Sequence, residues 1–329
     1  MNMKMDFSYN KMLFDIQRFM TPQMELTDGG GGNYFYWNVT PNMVISDFGG
    51  PYLLVNWGEL TSIYCNNSGA WAYIDLRGTG SSIYGGSGND SFDIDAASVF
   101  AIGNEGNDII GCSASHVTIY GGAGNDTIGG IEYAFLNGGD GDDVINAGNH
   151  STAYGGEGND TISNGGDGNF IDPGSGDDVI INFGSNLEIK KIAGTASINN
   201  SGSHVTINTD DTNNKNDTIM NRESEYVIIN SYDGDDYIEN RSNYTTINAN
   251  NGNNCIANYD ANFVTIKAGN GNNSIVNNGD NIVINVGKGY NTIENYGENV
   301  IITTKEGGTT VMNGNYDSTI CNNDWRSWK

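Results

Sequence analysis

The sequence is poor in proline, cysteine and basic residues. Its 329 residues include four prolines, four cysteines and only 14 lysines and arginines, against 40 aspartates and glutamates, so the net charge is −26. None of the cysteines stands in a C-x-x-C pair, which excludes the common zinc and redox motifs. A surface this acidic repels nucleic acid and anionic lipid, and it favours cations as partners.

Long apolar runs are also missing. No stretch approaches the roughly 18 apolar residues of a membrane span, so we predict no membrane span. The N-terminal residues are interrupted by Asp6, Asn10 and Asp15 and contain no apolar stretch typical of a signal peptide. Leu13 and Ile16 have helical spacing, so we expect residues 1–33 to form a capping or export segment with a short helix.

Glycine, in contrast, is abundant, and it recurs in phase. A glycine-rich loop that ends in aspartate repeats six times, and an apolar residue follows each final aspartate two positions later. The copies are Gly85–Asp90, Gly103–Asp108, Gly121–Asp126, Gly138–Asp143, Gly155–Asp160 and Pro173–Asp178. The final aspartate advances by 17 or 18 residues each time, which is the mark of a repeat architecture.

Short β-branched segments with a period of two lie between these loops. Pairs such as Val117-x-Ile119, Val205-x-Ile207 and Val300-x-Ile302 continue the pattern after the loop motif fades. Such segments predict strands, and two strands per unit make one flattened coil whose apolar residues are buried only when coils stack. We therefore predict an all-β, parallel β-solenoid (β-roll-like) with about 18 residues per coil.

The predicted coils differ in character along the chain. We expect irregular first coils in residues 34–82, loop-bearing coils in 83–180, asparagine-rich coils in 181–320 and a C-terminal cap in 321–329. Nine asparagines each fall two residues after the second-strand apolar position, which predicts a stacked amide ladder. They are Asn164, Asn182, Asn200, Asn221, Asn240, Asn258, Asn277, Asn295 and Asn313.

The loops at residues 121–128 and 155–162 resemble the hemolysin-type (RTX) calcium-binding nonapeptide, GGxGxDxUx. The resemblance implies that calcium lies between stacked loops, held by aspartate carboxylates and by carbonyls of the glycine-rich turns. It covers residues 83–180 and differs from the family pattern in occupying only one edge of the coil. The predicted metal-site residues are Gly85, Asn89, Asp90, Gly103, Asn107, Asp108, Gly121, Asn125, Asp126, Gly138, Asp142, Asp143, Gly155, Asn159, Asp160, Asp177 and Asp178.

Stacking alone also favours calcium. It lines up the loop aspartates about 4.8 Å apart, where two unit charges repel by roughly 1 kcal/mol in water, and a divalent ion with oxygen ligands reverses that repulsion. The alternative is a solvated acidic edge without metal. Beyond residue 180, Lys190 and Lys191 oppose cation binding, and Asn254, Asn273 and Asn291 take the aspartate position and remove its charge.

These patterns predict a secreted, calcium-stabilised structural or adhesive protein of a surface or matrix. The RTX resemblance implies bacterial type I-like export, which needs no Sec signal peptide. One alternative is a self-assembling extracellular filament whose copies join end to end. Another is a solenoid that binds or modifies a cell-surface polysaccharide through Arg222 and Arg241. We predict no enzyme, because the sequence has no Ser/His/Asp arrangement, P-loop or dinucleotide fingerprint.

Overall fold

The computed structural model describes residues 26–27, 34–38, 41–42, 44–45, 52–65, 72–191, 193–209, 215–305, 307–314 and 318–322. The predicted N-terminal helix and the tail beyond residue 322 lie outside the described residues. Within them the chain forms strands and turns and no helix, and so none that could cross a bilayer.

The strands form two long sheets, one with 17 strands and one with 16. The first sheet contains β1 (Leu26–Thr27), β2 (Tyr34–Asn38), β4 (Tyr52–Asn56), β6 (Ala72–Leu76), β8 (Ser91–Ile94), β10 (Ile109–Cys112), β12 (Thr127–Glu132), β14 (Val144–Asn149), β16 (Thr161–Asn164), β18 (Asp178–Asn182), β20 (Ala196–Asn200), β22 (Thr218–Asn221), β24 (Tyr237–Asn240), β26 (Cys255–Asn258), β28 (Ser274–Asn277), β30 (Thr292–Asn295) and β32 (Thr310–Asn313). The second sheet contains β3 (Val44–Ile45), β5 (Ser62–Tyr64), β7 (Ser82–Tyr84), β9 (Phe100–Glu105), β11 (Thr118–Ala123), β13 (Phe135–Asp140), β15 (Thr152–Glu157), β17 (Phe170–Ser175), β19 (Glu188–Lys190), β21 (Thr206–Asn208), β23 (Ile228–Tyr232), β25 (Thr246–Ala249), β27 (Thr265–Ala268), β29 (Val283–Val286), β31 (Val300–Thr304) and β33 (Ser318–Asn322).

Each coil contributes one strand to each sheet, and consecutive coils pair in parallel. In the first sheet Ile110 pairs with Ile128, and in the second sheet Ile119 pairs with Leu136. The exception is β1, which pairs antiparallel with β2. Paired residues stand about 18 positions apart, and the predicted parallel β-solenoid is confirmed.

The core is a pair of apolar columns, one on the inner face of each sheet. In the first sheet the column runs through Ile110, Ile128 and their equivalents up to Ile293, and all are buried. In the second sheet it runs through Ile119 and Leu136 to Ile302. Because burial of one isoleucine side chain stabilises a fold by about 1.5–3 kcal/mol, the stacked columns supply the main driving force.

Two edges join the sheets, and they differ in conformation. The glycine-rich loops connect each second-sheet strand to the next first-sheet strand, as Gly121–Asp126 does between β11 and β12. The glycine-rich loops have positive φ at glycines such as Gly122 and Gly124, whereas the opposite edge has it at non-glycine residues such as Tyr133 at 49° or His150 at 53°. This edge also carries the asparagine column.

One coil is longer than its neighbours. Ser197 pairs with Thr218, a step of 21 residues where the neighbouring pair, Val179 with Ser197, steps by 18. The sequence pattern predicts a three-residue insertion in the turn after Thr209, and this register agrees with it. The prediction places the insertion between Thr209 and Asn216, and residues 210–214 of that turn lie outside the described part of the chain.

Candidate cation site

The six predicted aspartates lie inside the solenoid. Asp90, Asp108, Asp126, Asp143, Asp160 and Asp178 are each only 1–2 % exposed. Strand alternation explains this placement: each aspartate stands two residues before a buried apolar residue, so both side chains point to the same face. A solvated acidic edge is therefore wrong for these carboxylates.

One oxygen of each carboxylate ties two coils together. The backbone N–H of Asp108 donates to Oδ1 of Asp126 at 2.7 Å, and the same bond repeats from Asp90 through to Asp178 at 2.6–2.9 Å. The Oδ1 atoms thus satisfy backbone donors that the turn would otherwise leave unpaired.

The other oxygen has no such partner in four of the turns. The Oδ2 atoms of Asp108, Asp126, Asp143 and Asp160 are buried and accept no hydrogen bond. The Oδ2 atom of Asp90 accepts from the backbone N–H of Gly86 at 3.0 Å. Burial of a carboxylate oxygen without a hydrogen-bond donor costs free energy. In these four turns no donor in the protein offsets that cost.

The first glycine of each loop leaves room for that oxygen. A Cβ atom placed on Gly103, Gly121, Gly138 or Gly155 would lie only 1.9–2.2 Å from the Oδ2 atom of the same turn. A Cβ on Gly85 would lie 2.8 Å from Oδ2 of Asp90. The glycine at this position is required because the carboxylate is turned inward next to it.

The residues just before the aspartates lie on the exposed rim of the turns. The Oδ1 atom of Asn125, for example, accepts from the backbone N–H of Asp142 one coil later at 3.0 Å. The same contact repeats along this rim at 2.7–2.9 Å for Asn89, Asn107, Asp142 and Asn159. Asp177, the last of the row, accepts from the Thr195 hydroxyl at 2.7 Å. These predicted site residues therefore form a second, outer row that pairs coil to coil.

Burial shifts the inner carboxylates strongly. Desolvation is the largest cause, and it raises the pKa of Asp108 and Asp143 to about 7 and that of Asp126 and Asp160 to about 6. The backbone N–H bonded to each Oδ1 lowers the pKa, and neighbouring aspartates raise it again for Asp108, Asp143 and Asp160. Near neutral pH, ionisation of these inner carboxylates therefore costs folding free energy.

In the C-terminal turns an asparagine amide stands where the aspartate turns have a carboxylate. Asn254, Asn273 and Asn291 continue the aspartate column, as predicted, and the backbone N–H of Asp236 donates to Oδ1 of Asn254. The Nδ2 atom of Asn273 donates to the carbonyls of Gly269 and Gly271 at 3.1 and 3.4 Å, four and two residues earlier. The two turn carbonyls therefore accept a donor here, and the Asn254 and Asn291 amides contact the equivalent carbonyls.

A lysine fills the equivalent place in one aspartate turn. The Lys191 ammonium lies 2.5 Å from Oδ2 of Asp178 and contacts the carbonyls of Gly174 and Gly176 at 3.3 and 3.1 Å. Those carbonyls again stand four and two residues before the column residue. Lys191 is only 1 % exposed, so this is a buried ion pair within the turn.

The donor set of the aspartate turns has a definite chemical character. Among the described residues, no three His, Cys, Asp or Glu side chains cluster as a metal site. A cation in these turns would therefore combine a carboxylate with backbone carbonyls, which are oxygen ligands of the kind that calcium accepts. The unpartnered Oδ2 atoms fit such an ion.

Sequence reasoning missed two rows of aromatic rings. Rings from Tyr64 to Phe170 alternate along the outer face of the second sheet, with centroids 4.6–6.0 Å apart. A second row stacks at the positive-φ edge, where the ring of Tyr133 lies between His116 and His150. The first row takes its rings from two register positions in alternate coils, since Phe100 pairs with Ser82 and Thr118 whereas Tyr84 and Tyr120 pair with Ile102. The second row repeats at one register position.

The arginines proposed for polysaccharide contact are already engaged. Arg222 and Arg241 both pair with Glu239, at 3.2 and 2.8 Å, and Arg241 also lies over the ring of Tyr259.

No family model matches the sequence, no curated protein matches it, and no solved structure matches it.

Proposed function

We propose that this chain is a calcium-binding β-solenoid whose aspartate turns take up calcium, and that it serves as a structural or adhesive protein outside the cell. The observation that carries the proposal is the set of buried, unpartnered Oδ2 atoms in the turns of Asp108, Asp126, Asp143 and Asp160. The resemblance of the loops to the RTX nonapeptide favours the same ion.

A comparison within the chain supports a cation in these turns. Where the column residue is asparagine, its amide donates to the two turn carbonyls. Where it is an ionised aspartate, the side chain can only accept, so carbonyls and carboxylate present acceptors alone. A calcium ion would satisfy them, whereas magnesium requires a strict octahedron and retains its waters, which suits such a turn less well.

The proposed mechanism is thermodynamic linkage. An ion that binds the coiled state and not the unfolded chain stabilises the coil by RT ln(1 + [L]/Kd). Extracellular calcium would then favour folding after export, and the low calcium of the cytoplasm would not. This linkage supports the proposal of a function outside the cell.

The test is a calorimetric calcium titration of chelator-stripped protein, with thermal melting followed by circular dichroism. We expect several calcium ions to bind and to raise the melting temperature. The double variant Asp126→Asn/Asp160→Asn should bind fewer ions, because its two amides replace the ligand oxygens with donors, and calcium should raise its melting temperature less.

The matched control removes two charges from the rim of the same region. Asp140 and Glu157 are exposed, and Asp140→Asn/Glu157→Gln changes the net charge as the test variant does. We expect the control to keep the wild-type number of sites. A stripped wild type that takes up no calcium would refute the proposal, and concentration-dependent filaments in that protein would favour the self-assembly alternative.

A further inference from the structure

Lys191 stands at a position where five of the six aspartate turns have glycine and the Asp178 turn has Pro173. Ala196 pairs with Asp178 and therefore takes the aspartate position in its own coil, and Lys191 precedes it by five residues as Gly155 precedes Asp160. In the aspartate turns a side chain at this place would collide with the carboxylate. Replacing aspartate by Ala196 opens that space, and the lysine side chain occupies it.

The ammonium does not stay in its own coil. It reaches the preceding turn and binds the carboxylate of Asp178 together with the carbonyls of Gly174 and Gly176. These are the oxygens that, in the other aspartate turns, the proposed calcium would hold. Asp178 is accordingly absent from the aspartates whose Oδ2 atom lacks a partner.

We propose that the Lys191 ammonium is a built-in cation that replaces calcium in the Asp178 turn and interrupts the aspartate column there, before it resumes at Asp217 and Asp236. The predicted number of bound ions rests on the proposed function, whereas the stabilising role of the Lys191 charge does not. The built-in cation removes Asp177 and Asp178 from the predicted calcium ligands.

The experiment replaces the lysine by an uncharged side chain of similar length. Lys191→Met leaves the Asp178 carboxylate buried beside two carbonyls with no positive partner. We expect chelator-stripped Lys191→Met to melt several degrees lower than wild type, and calcium to restore the loss. Calorimetric titration should count one calcium more than in wild type.

Two further variants separate charge from packing. Lys190→Met changes the neighbouring, exposed lysine and should alter neither the stripped melting temperature nor the number of ions. The double variant Lys191→Met/Asp178→Asn should regain melting temperature without calcium, since an amide at this position can donate to the turn carbonyls as Asn273 does.

The outcomes distinguish this inference from the proposed function. If wild type binds calcium and Lys191→Met binds no additional ion, the inference fails and the proposed function stands. If neither protein binds calcium, the proposed function fails, and the stripped melting temperatures decide the role of the charge. If Lys191→Met/Asp178→Asn regains melting temperature, the result supports a built-in cation. If it does not, the inference is overturned.

Discussion

At the scale of one residue, the aspartate turns and the asparagine turns differ by a carboxylate in place of an amide. Asp126 and Asn273 occupy equivalent positions, and each accepts one backbone N–H from the preceding coil through Oδ1. They differ at the second atom, which is an acceptor in aspartate and a donor in asparagine. The asparagine turns therefore donate to their carbonyls, whereas the turns of Asp108, Asp126, Asp143 and Asp160 bury an Oδ2 atom that has no donor.

This difference predicts the effect of Asn273→Asp. The new carboxylate would face the Gly269 and Gly271 carbonyls and the Oδ1 atom of Asn291, all of which accept from the present amide. We expect a loss of roughly 2–4 kcal/mol in the free energy of unfolding near neutral pH, measured by urea denaturation in chelator.

The neighbouring residue supplies the control for that prediction. Asn272 is exposed, and its Oδ1 atom accepts from the backbone N–H of Tyr290, a bond that an aspartate retains. Asn272→Asp adds the same charge and should change stability by less than about 0.5 kcal/mol. Equal losses in the two variants would mean that net charge, and not the turn geometry, sets the cost.

At the scale of the element, the predicted asparagine ladder is confirmed. The Nδ2 atom of each member donates to Oδ1 of the next at 2.6–2.9 Å, from Asn164 to Asn313. Most members also bond the backbone of the turn two or three residues on, as Asn182 does with Gly184. The ladder therefore fixes the conformation of one edge as well as the stacking.

Breaking the ladder should cost much more than losing one surface amide. Asn240→Ala leaves Nδ2 of Asn221 with only its long contact to the Thr245 hydroxyl at 3.4 Å, and Oδ1 of Asn258 without a donor, both in the buried edge. We expect a loss of about 3 kcal/mol in the free energy of unfolding, measured by urea denaturation.

The outer face of the same coil provides a comparison. Asn248 donates to Asn230 at 2.7 Å but is only half-buried, so water can replace the lost partner. Asn248→Ala should cost less than about 1 kcal/mol. If both alanine variants lose the same amount, the ladder contributes no more than an ordinary surface contact.

The sequence predicted the elements well because two periods coincide in it. The repeat of 17–19 residues fixed which strands pair, and the alternation of apolar residues fixed which side chains form the core. The same alternation places Asp126 on the inner face with Ile128, and this burial excludes the solvated acidic edge that the sequence left open as the alternative. The reach of Lys191 into the preceding coil depends on a side-chain path that spacing does not encode.

At the scale of the whole molecule, the buried carboxylates couple stability to pH. In metal-free protein the pKa values of Asp108 and Asp143 are raised to about 7, above the ordinary value of 3.8, so the folded state binds more protons than the unfolded chain in that interval. Stability must then fall as pH rises through it. The proposed calcium would oppose the trend, because it would bind the ionised form.

We therefore expect chelator-stripped protein to melt several degrees lower at about pH 8 than at about pH 5, and calcium to reduce or reverse that difference. The measurement should be made at high salt, which screens repulsion among the exposed charges of a molecule with a net charge of −26 but screens the buried row much less. Asp126→Asn/Asp160→Asn removes two of the shifted groups, so its metal-free melting temperature should depend less on pH. A stripped protein that becomes more stable toward pH 8 would mean that the inner aspartates ionise without cost, and the reason to place calcium beside them would be lost.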